Sequence, residues 1–201
     1  MRKLMMGALL ALLLPFTTAA AEFVEGKDYV VVSKVATAGP EVREFFSVLC
    51  GHCYKFEPTA QQLKKQLAAE VRFERNHVDF VGREIGAYYS RAYAVAVALG
   101  KEDTLLPRLF HNAQEEKRYF QSPADVRNFF LAEGVAADQY DGVVNSFAVE
   151  GMVAMMAQNT IDKKIQGVPA FVVNGKYLVK NDALKTYDDL IKVVNYLLTL
   201  K

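Results

Sequence analysis

The stretch EFFSVLCGHCYKFEP, residues 44–58, constrains the fold of this chain more than any other segment. It contains the only two cysteines of the chain, Cys50 and Cys53. The residues before Cys50 are nearly all apolar, which is typical of a central strand that is covered on both faces. From Gly51 to about Glu70 the apolar residues form a partial helical stripe. The sequence therefore predicts a buried strand that ends at a cysteine pair, with a helix beginning there.

The composition and the first residues indicate an exported globular protein. The chain has 201 residues, 52% of them hydrophobic, and a formal charge of +1. This balance argues against a nucleic acid partner, because phosphate binding requires a basic surplus. Residues 1–20 combine two cations, an apolar run shorter than the roughly 20 residues of a membrane span and a small-residue end, which predicts a cleaved signal peptide. Exported proteins enter oxidising compartments, where disulfides persist.

Strand and helix patterns divide the rest of the chain into three parts. Apolar and β-branched runs predict three strands near the N-terminus, at residues 29–33, 41–49 and 71–80. Residues 83–165 have no strand pattern and are expected to form about four helices. Asn174-Gly175 between two apolar runs predicts a type I′ hairpin, and residues 182–201 predict a final amphipathic helix. Strands at both ends of a helical block predict an α/β domain with a helical insertion.

Three kinds of chemistry use two cysteines at this spacing. A structural disulfide that closes so short a loop contributes only about 2 kcal/mol, against about 3 for a loop of fifteen residues. Zinc requires four ligands, but there is no second cysteine pair, and His77 and His111 are far apart in sequence. A redox pair is favoured, because Cys50 lies at the start of a helix, where free N–H groups and the helix dipole stabilise a thiolate.

The position of each residue in the motif predicts a different role. Cys50 is expected to be exposed and to exchange disulfides, whereas Cys53 lies one turn inside and is expected to resolve the mixed disulfide. His52 can donate a hydrogen bond or a positive charge to the Cys50 sulfur, although a solvent-facing turn residue is the alternative. Gly51 leaves its own N–H free beside the sulfur. A stabilised thiolate makes the disulfide form the stronger oxidant.

These motifs, together with GVPAFVVNGKY and the helical block, resemble the thioredoxin-fold superfamily and, within it, the DsbA family of periplasmic disulfide oxidases. The resemblance covers essentially all of residues 22–201. It implies an α/β thioredoxin fold with an inserted all-helical domain. The thioredoxin-like domain would be discontinuous, at residues 21–82 and 166–201, with the insertion at residues 83–165.

The resemblance also implies roles for residues outside the cysteine motif. Pro169 resembles the family's cis-proline, and with Val168 it would offer backbone groups to an extended substrate peptide. A trans proline at the start of a strand is the alternative. Glu44 resembles a buried acid beneath the cysteines, which can carry a proton to or from the resolving thiol.

The alternative for Glu44 is a partly exposed strand residue that is paired with Arg43 or Arg75. Glu57 and Arg75 resemble charged positions near the family's site, and we interpret them as groups that tune it.

By resemblance, this chain would be a monomeric periplasmic enzyme that donates its Cys50–Cys53 disulfide to reduced, newly exported proteins. No cofactor besides the redox-active disulfide is expected, and an integral-membrane, quinone-linked partner of the DsbB type would reoxidise it. One departure stands out, since the best-known family members have proline-histidine where this chain has Gly51-His52. Glycine-histidine is the pair of protein disulfide isomerases, which bears on the strength of the oxidant and not on the class of reaction. An isomerase or reductase is an alternative among the enzymes. A peptide-binding chaperone on the same fold is an alternative of another class.

Overall fold

A computed structural model describes residues 23–184 and 186–200 of the chain. The strands in these ranges are β1 (Tyr29–Val31), β2 (Glu41–Phe46), β3 (Arg72–His77), β4 (Ala170–Val173) and β5 (Tyr177–Val179). The α-helices are α1 (Gly51–Gln66), α2 (Gly86–Ala98), α3 (Glu102–Gln114), α4 (Pro123–Ala132), α5 (Ala137–Val143), α6 (Phe147–Asp162) and α7 (Tyr187–Thr199). The predicted signal peptide, residues 1–20, lies outside the described residues. No helix in the described part of the chain is long and apolar enough to cross a membrane.

The strands form one mixed sheet in the order β1-β5-β4-β2-β3. β2 pairs with β3 in parallel and with β4 in antiparallel orientation, so it has the central position that its apolar sequence predicts. It ends at Phe46, earlier than the predicted Leu49. The parallel register places Phe46 beside His77 and Glu44 beside Arg75. The segment that leads from β2 to α1 therefore leaves the sheet next to the end of β3.

The helical segment contains more helices than the sequence predicts. Five α-helices, α2 to α6, and a short 3₁₀ helix at Arg83–Ile85 replace the expected four. The difference arises at Ser146, whose side chain accepts a hydrogen bond from the Val149 N–H at 3.3 Å and caps a new helix. α4 begins where its local sequence indicates, because Ser122 is a favourable cap and Pro123 is a favourable first helical residue. α1 ends at Gln66, four residues before the predicted Glu70.

The buried core of the helical segment continues into the sheet. Phe46, Val48 and Cys53 pack in the same cluster as buried side chains of α2, α3 and α4. A second cluster joins α7 to β4 and β5 through Leu190, among others. The chain from β2 to α1 thus lies where the sheet meets the helical segment. The division of the chain into domains at the predicted boundaries stays a prediction.

The predicted hairpin is present and depends on Asn174. Asn174 and Gly175 have φ angles of 52° and 61°, as a type I′ turn requires. The Asn174 side chain is buried, accepts from the Glu41 N–H at 3.2 Å and donates to the carbonyl groups of Leu197 and Leu200. One side chain therefore links the hairpin to β2 and to the end of α7.

We expect Asn174→Ala to lower the free energy of unfolding by about 3 kcal/mol. About 1 kcal/mol of this loss is the backbone strain of alanine at positive φ. The rest is the cost of leaving the Glu41 N–H and the carbonyl groups of Leu197 and Leu200 without their hydrogen-bond partner. Asn174→Gly removes the same side chain without the backbone strain, so its loss should be about 1 kcal/mol smaller. Urea unfolding of both variants measures the difference, and equal losses would contradict the role of positive φ.

Candidate active site

Cys50 is the N-cap residue of α1. Its backbone is extended, with φ −90° and ψ 113°, and its sulfur accepts a hydrogen bond from the Cys53 N–H at 3.3 Å. Both cysteines are free thiols, with Cys50 half-buried and Cys53 buried. Cys53 is shielded as the sequence predicts, whereas Cys50 is only partly exposed.

The two thiols have opposite electrostatic environments. Hydrogen bonding from the Cys53 side chain lowers the pKa of Cys50 to about 6, with further help from the backbone N–H groups of Cys53 and His52 and from the charge of His52. Burial of Cys50 opposes this effect. The pKa of Cys53 is raised, first by its hydrogen bond to Cys50 and then by burial. At neutral pH the reduced site therefore holds a thiolate at Cys50 and a thiol at Cys53.

The two residues between the cysteines are both exposed. His52 thus has the solvent-facing position that was the alternative, while its backbone and its charge still act on the Cys50 sulfur. A Cβ atom at Gly51 would lie 3.5 Å from Oε1 of Gln114, which is ordinary van der Waals contact. Gly51 is therefore open to a larger residue.

The Val168–Pro169 peptide bond is cis, as predicted, and faces the cysteine pair. The carbonyl oxygen of Val168 lies 3.4 Å from the Cys50 sulfur, within reach of the thiol proton. Beside Pro169 lies an open groove of about 330 Å³ with mainly apolar walls that include Phe56, Phe171 and Leu190. Pro169 is thus shared between this groove and the peptide bond whose carbonyl lies next to Cys50.

Glu44 is fully buried and belongs to a row of three charged side chains. Nε of Arg75 lies 3.0 Å from Oε2 of Glu44, and another guanidinium nitrogen of Arg75 lies 2.9 Å from Oε2 of Glu57. Arg43 pairs instead with Glu41, so of the two partners considered for Glu44 only Arg75 is used. The structure therefore brings together all three charged residues that the sequence singled out.

The row leaves one carboxylate oxygen incompletely satisfied. The contact of Arg75 with Oε2 of Glu44 lacks hydrogen-bond geometry, and that oxygen has no other hydrogen-bond partner among the described residues. Burial raises the pKa of Glu44 to about 7, although the charge of Arg75 opposes the shift. The charge of Glu44 in turn helps to raise the pKa of Cys53. Glu44 can thus hold or release a proton near neutral pH, and its charge acts on the buried Cys53 thiol.

Sequence reasoning missed other side chains around the site. Tyr93 donates to Glu102 at 2.8 Å, and both contribute to the electrostatics of the Glu44 row. His77 and Gln114 contact the loop before Cys50. His77 was considered only as a zinc ligand, but its place at the end of a strand beside β2 was a signal that could have located it. In the described part of the chain, no three His, Cys, Asp or Glu side chains converge as a metal site would require.

Comparisons with known proteins agree with this geometry. A family profile described as "DSBA-like thioredoxin domain" matches residues 41–192. The chain is 43% identical to the thiol:disulfide interchange protein DsbA of Pectobacterium carotovorum subsp. carotovorum, over 96% of this chain and 97% of that protein. It is 40% identical to the protein of the same name from Yersinia pestis, with the same coverage.

Solved structures lead to the same group. The disulfide oxidoreductase DsbA of Proteus mirabilis superposes with a TM-score of 0.80 and 39% identity, over 90% of this chain and 99% of that chain. A second structure of the Proteus protein, with a TM-score of 0.81, 39% identity and coverage of 90% and 100%, holds a non-covalently bound peptide. The predicted fold class, a thioredoxin fold with an inserted helical domain, and the predicted enzyme class are confirmed.

We expect Glu44→Gln to change the pH dependence of stability. Below pH 4.5 the carboxyl group is protonated in both the folded and the unfolded chain, so its contribution to stability is complete. As the pH rises to about 7, the unfolded chain ionises first and stability is lost. Relative to the parent protein, Glu44→Gln should therefore become more stable between about pH 4 and pH 8, by at most about 3 kcal/mol.

This difference is measured by urea unfolding of the disulfide form, in which Cys50 does not titrate. Glu70→Gln, at an exposed carboxylate, is the matched control and should give a constant difference. A constant difference for Glu44→Gln as well would contradict a buried carboxyl group that holds its proton.

We expect Gly51→Pro to be tolerated and to raise the free energy of unfolding by about 0.4–1 kcal/mol. Gly51 is the first residue of α1, where a proline ring fits, and the extended backbone of Cys50 suits the residue before a proline. Gly51→Ala keeps the N–H and is the control. If the proline variant is destabilised and the alanine variant is not, the Gly51 N–H has a role that the geometry does not predict.

Proposed function

We propose that this chain donates a Cys50–Cys53 disulfide to reduced, newly exported proteins. The chain belongs to the DSBA-like thioredoxin family and is a disulfide-forming thiol:disulfide oxidoreductase. The observation that carries the proposal is the difference between the two thiols: Cys50 is accessible with a pKa of about 6, and Cys53 is buried with a raised pKa. A low thiol pKa stabilises the reduced protein and thereby makes its disulfide a stronger oxidant.

The reaction proceeds by two thiol–disulfide exchanges. A substrate thiolate attacks the Cys50 sulfur, the Cys50–Cys53 bond breaks, and Cys53 leaves with the electron pair and takes up a proton. A second substrate thiolate then attacks the substrate sulfur of the mixed disulfide, and Cys50 leaves as a thiolate. The substrate loses two electrons and the protein gains them. Cys50 is a good leaving group in the second step because its thiolate is stabilised.

Glu44 is the proton carrier for Cys53 in this proposal. Cys53 must gain a proton when the disulfide opens and lose it when the disulfide is restored. The support is that the buried Glu44 carboxyl group has a pKa of about 7, close to the pH at which such exchange occurs. Arg75 and Glu57 tune this group, since Arg75 alone would hold Glu44 ionised and Glu57 shares its charge.

Val168 and Pro169 bind the substrate chain beside Cys50. The Val168 carbonyl oxygen is 3.4 Å from the Cys50 sulfur, where it can accept from an extended peptide as an added strand would. The groove beside Pro169 receives an apolar side chain of the same segment. The peptide that is bound to the related Proteus mirabilis protein supports a peptide as the ligand class.

The cellular setting follows from the family and from the N-terminal residues. The chain is exported to the periplasm after cleavage of its signal peptide and works as a monomer. A DsbB-like integral-membrane protein that is linked to quinone restores the disulfide. The protein uses its redox-active disulfide in place of a cofactor and has no nucleic acid partner.

The dipeptide Gly51-His52 supports a second candidate, an isomerase or reductase. It is the pair found in protein disulfide isomerase, whose reference potential of about −180 mV is less oxidising than the reference value of about −120 mV for DsbA. The difference of 60 mV corresponds to about 2.8 kcal/mol for two electrons. A measured reduction potential nearer to about −120 mV favours the oxidase, and one at about −180 mV or below favours the isomerase or reductase.

The test mixes the oxidised protein with a reduced peptide that contains two cysteines and then equilibrates the protein with glutathione. We expect one disulfide to be formed in the peptide for each protein molecule, and a potential between about −180 and −120 mV. Cys50→Ser should be inactive. Cys53→Ser should accumulate a mixed disulfide through Cys50, since the resolving sulfur is missing.

Two outcomes would contradict this function. A reduction potential near that of thioredoxin, about −270 mV, would make the protein a reductase. Full activity of Cys50→Ser would remove the redox role and favour a peptide-binding chaperone.

A further inference from the structure

Two side chains from distant parts of the chain hold the backbone of Val48. The Val48 N–H donates to Nε2 of His77 at 3.0 Å, and the Val48 carbonyl accepts from Nε2 of Gln114 at 2.7 Å. Val48 is fully buried and lies between β2 and α1, two residues before Cys50. We call these two hydrogen bonds the Val48 clamp. Because buried backbone groups must find partners, the clamp selects one path for this loop.

His77 is suited to accept the Val48 N–H. Its Nε2 accepts, so the ring proton is on Nδ1, which donates to the Ser90 hydroxyl at 2.9 Å. Burial lowers the pKa of His77 to about 3, so the ring is neutral. Its backbone N–H donates to the Met156 sulfur at 3.3 Å. Its ring packs against the Phe46 ring in an edge-to-face arrangement, with 5.2 Å between the ring centroids. The acceptor nitrogen is therefore held in place on every side.

Gln114 completes the clamp from the helical segment. It is the last residue of α3, and its side chain is half-buried over the start of α1. The other atom of its amide group, Oε1, is the atom nearest to a Cβ at Gly51. One amide group thus contacts both the loop before Cys50 and the residue after it.

Within the loop itself the hydrogen bonds are short-range. Leu49 N–H donates to the Ser47 hydroxyl at 3.2 Å, and Cys50 N–H donates to the Ser47 carbonyl at 3.0 Å. These bonds shape the loop but do not attach it to the rest of the protein. The Val48 clamp supplies that attachment.

We propose that His77 and Gln114 are positioning residues, which hold the loop so that the Cys50 sulfur meets the N–H groups at the start of α1. The proposal rests on the proposed function of Cys50. Without the clamp, Val48 would turn its unpaired groups toward other partners, and Cys50 would move with it. The thiolate would then lose donors, its pKa would rise, and the disulfide would become a weaker oxidant.

The test compares His77→Phe and Gln114→Met. The first keeps an aromatic ring beside Phe46 without the acceptor nitrogen, and the second keeps the side-chain length without the donor. We expect the Cys50 pKa to rise by about one unit in His77→Phe and by about half a unit in Gln114→Met. The absorbance of the thiolate, recorded as a function of pH, measures this pKa. The equilibrium constant with glutathione should shift toward the disulfide form, by about tenfold in His77→Phe and about threefold in Gln114→Met. A tenfold shift corresponds to about 30 mV in reduction potential.

Two further variants separate positioning from general stability. His77→Gln offers a carbonyl oxygen to the Val48 N–H and should restore much of the parent pKa. Val193→Ala truncates a buried side chain of α7 in the cluster that does not include Val48, and it should lower stability without moving the Cys50 pKa.

The proposal is overturned if His77→Phe and Gln114→Met keep the parent Cys50 pKa while losing stability as Val193→Ala does. If His77→Phe does not fold, Gln114→Met decides alone, because its side chain is only half-buried and a parent-like pKa there overturns the clamp. Failure of the proposed function is a separate result. It would show in the parent protein itself, as a Cys50 pKa of about 8.5 and no oxidation of the peptide, whatever the variants do.

Discussion

The position of Cys50 as the N-cap of α1, where its sulfur accepts from the Cys53 N–H, is the constraint on which the chemistry of this protein depends. It arises because β2 ends early enough for Cys50 to adopt an extended backbone. In that position, the hydrogen bond between the two side chains lowers the pKa of Cys50 and raises the pKa of Cys53, and the Cys53 N–H adds to the effect on Cys50. The order of strand, loop and helix is thus the source of the chemical difference between two identical side chains.

The charged row beneath the cysteines has a different logic. Buried ion pairs seldom stabilise a fold by themselves, since desolvation offsets most of their attraction. Arg75 lies between the rings of Phe46 and Phe73, with its carbon atom Cζ 5.5 and 5.9 Å from their centroids, so these rings keep it from water. Burial raises the pKa of Glu44 to about 7, and the charge of Arg75 limits that rise. The row therefore gives Glu44 a pKa near neutrality rather than a strongly stabilising ion pair.

Features whose causes lie within a few residues could be predicted from the sequence. The cysteine pair, the cap at Ser122 and the turn at Asn174 belong to this class, because a short side-chain pattern is sufficient for each. The cis bond before Pro169 was expected only through the resemblance to a family. The break at Ser146 was missed because a serine in a helical pattern competes with the backbone in a way that composition does not reveal.

Contacts between distant segments could not be predicted in the same way. Val48 meets partners 29 and 66 positions away, and nothing in the sequence around it indicates either one. The pairing of Glu44 with Arg75 depends on the register of two parallel strands, which the sequence leaves open. The candidate site is therefore predictable as a set of reactive residues, and its surroundings only after the fold is known.

The burial of Cys53 has a consequence for timing. Small thiols in solution cannot reach this sulfur, so every adduct forms on Cys50 and sits beside an internal nucleophile that remains unmodified. That nucleophile is inert while it carries its proton, because its pKa is raised. The lifetime of a protein captured on Cys50 is then governed by how often the Cys53 thiol loses its proton, and the captured protein has that interval in which to bring its own second cysteine into place.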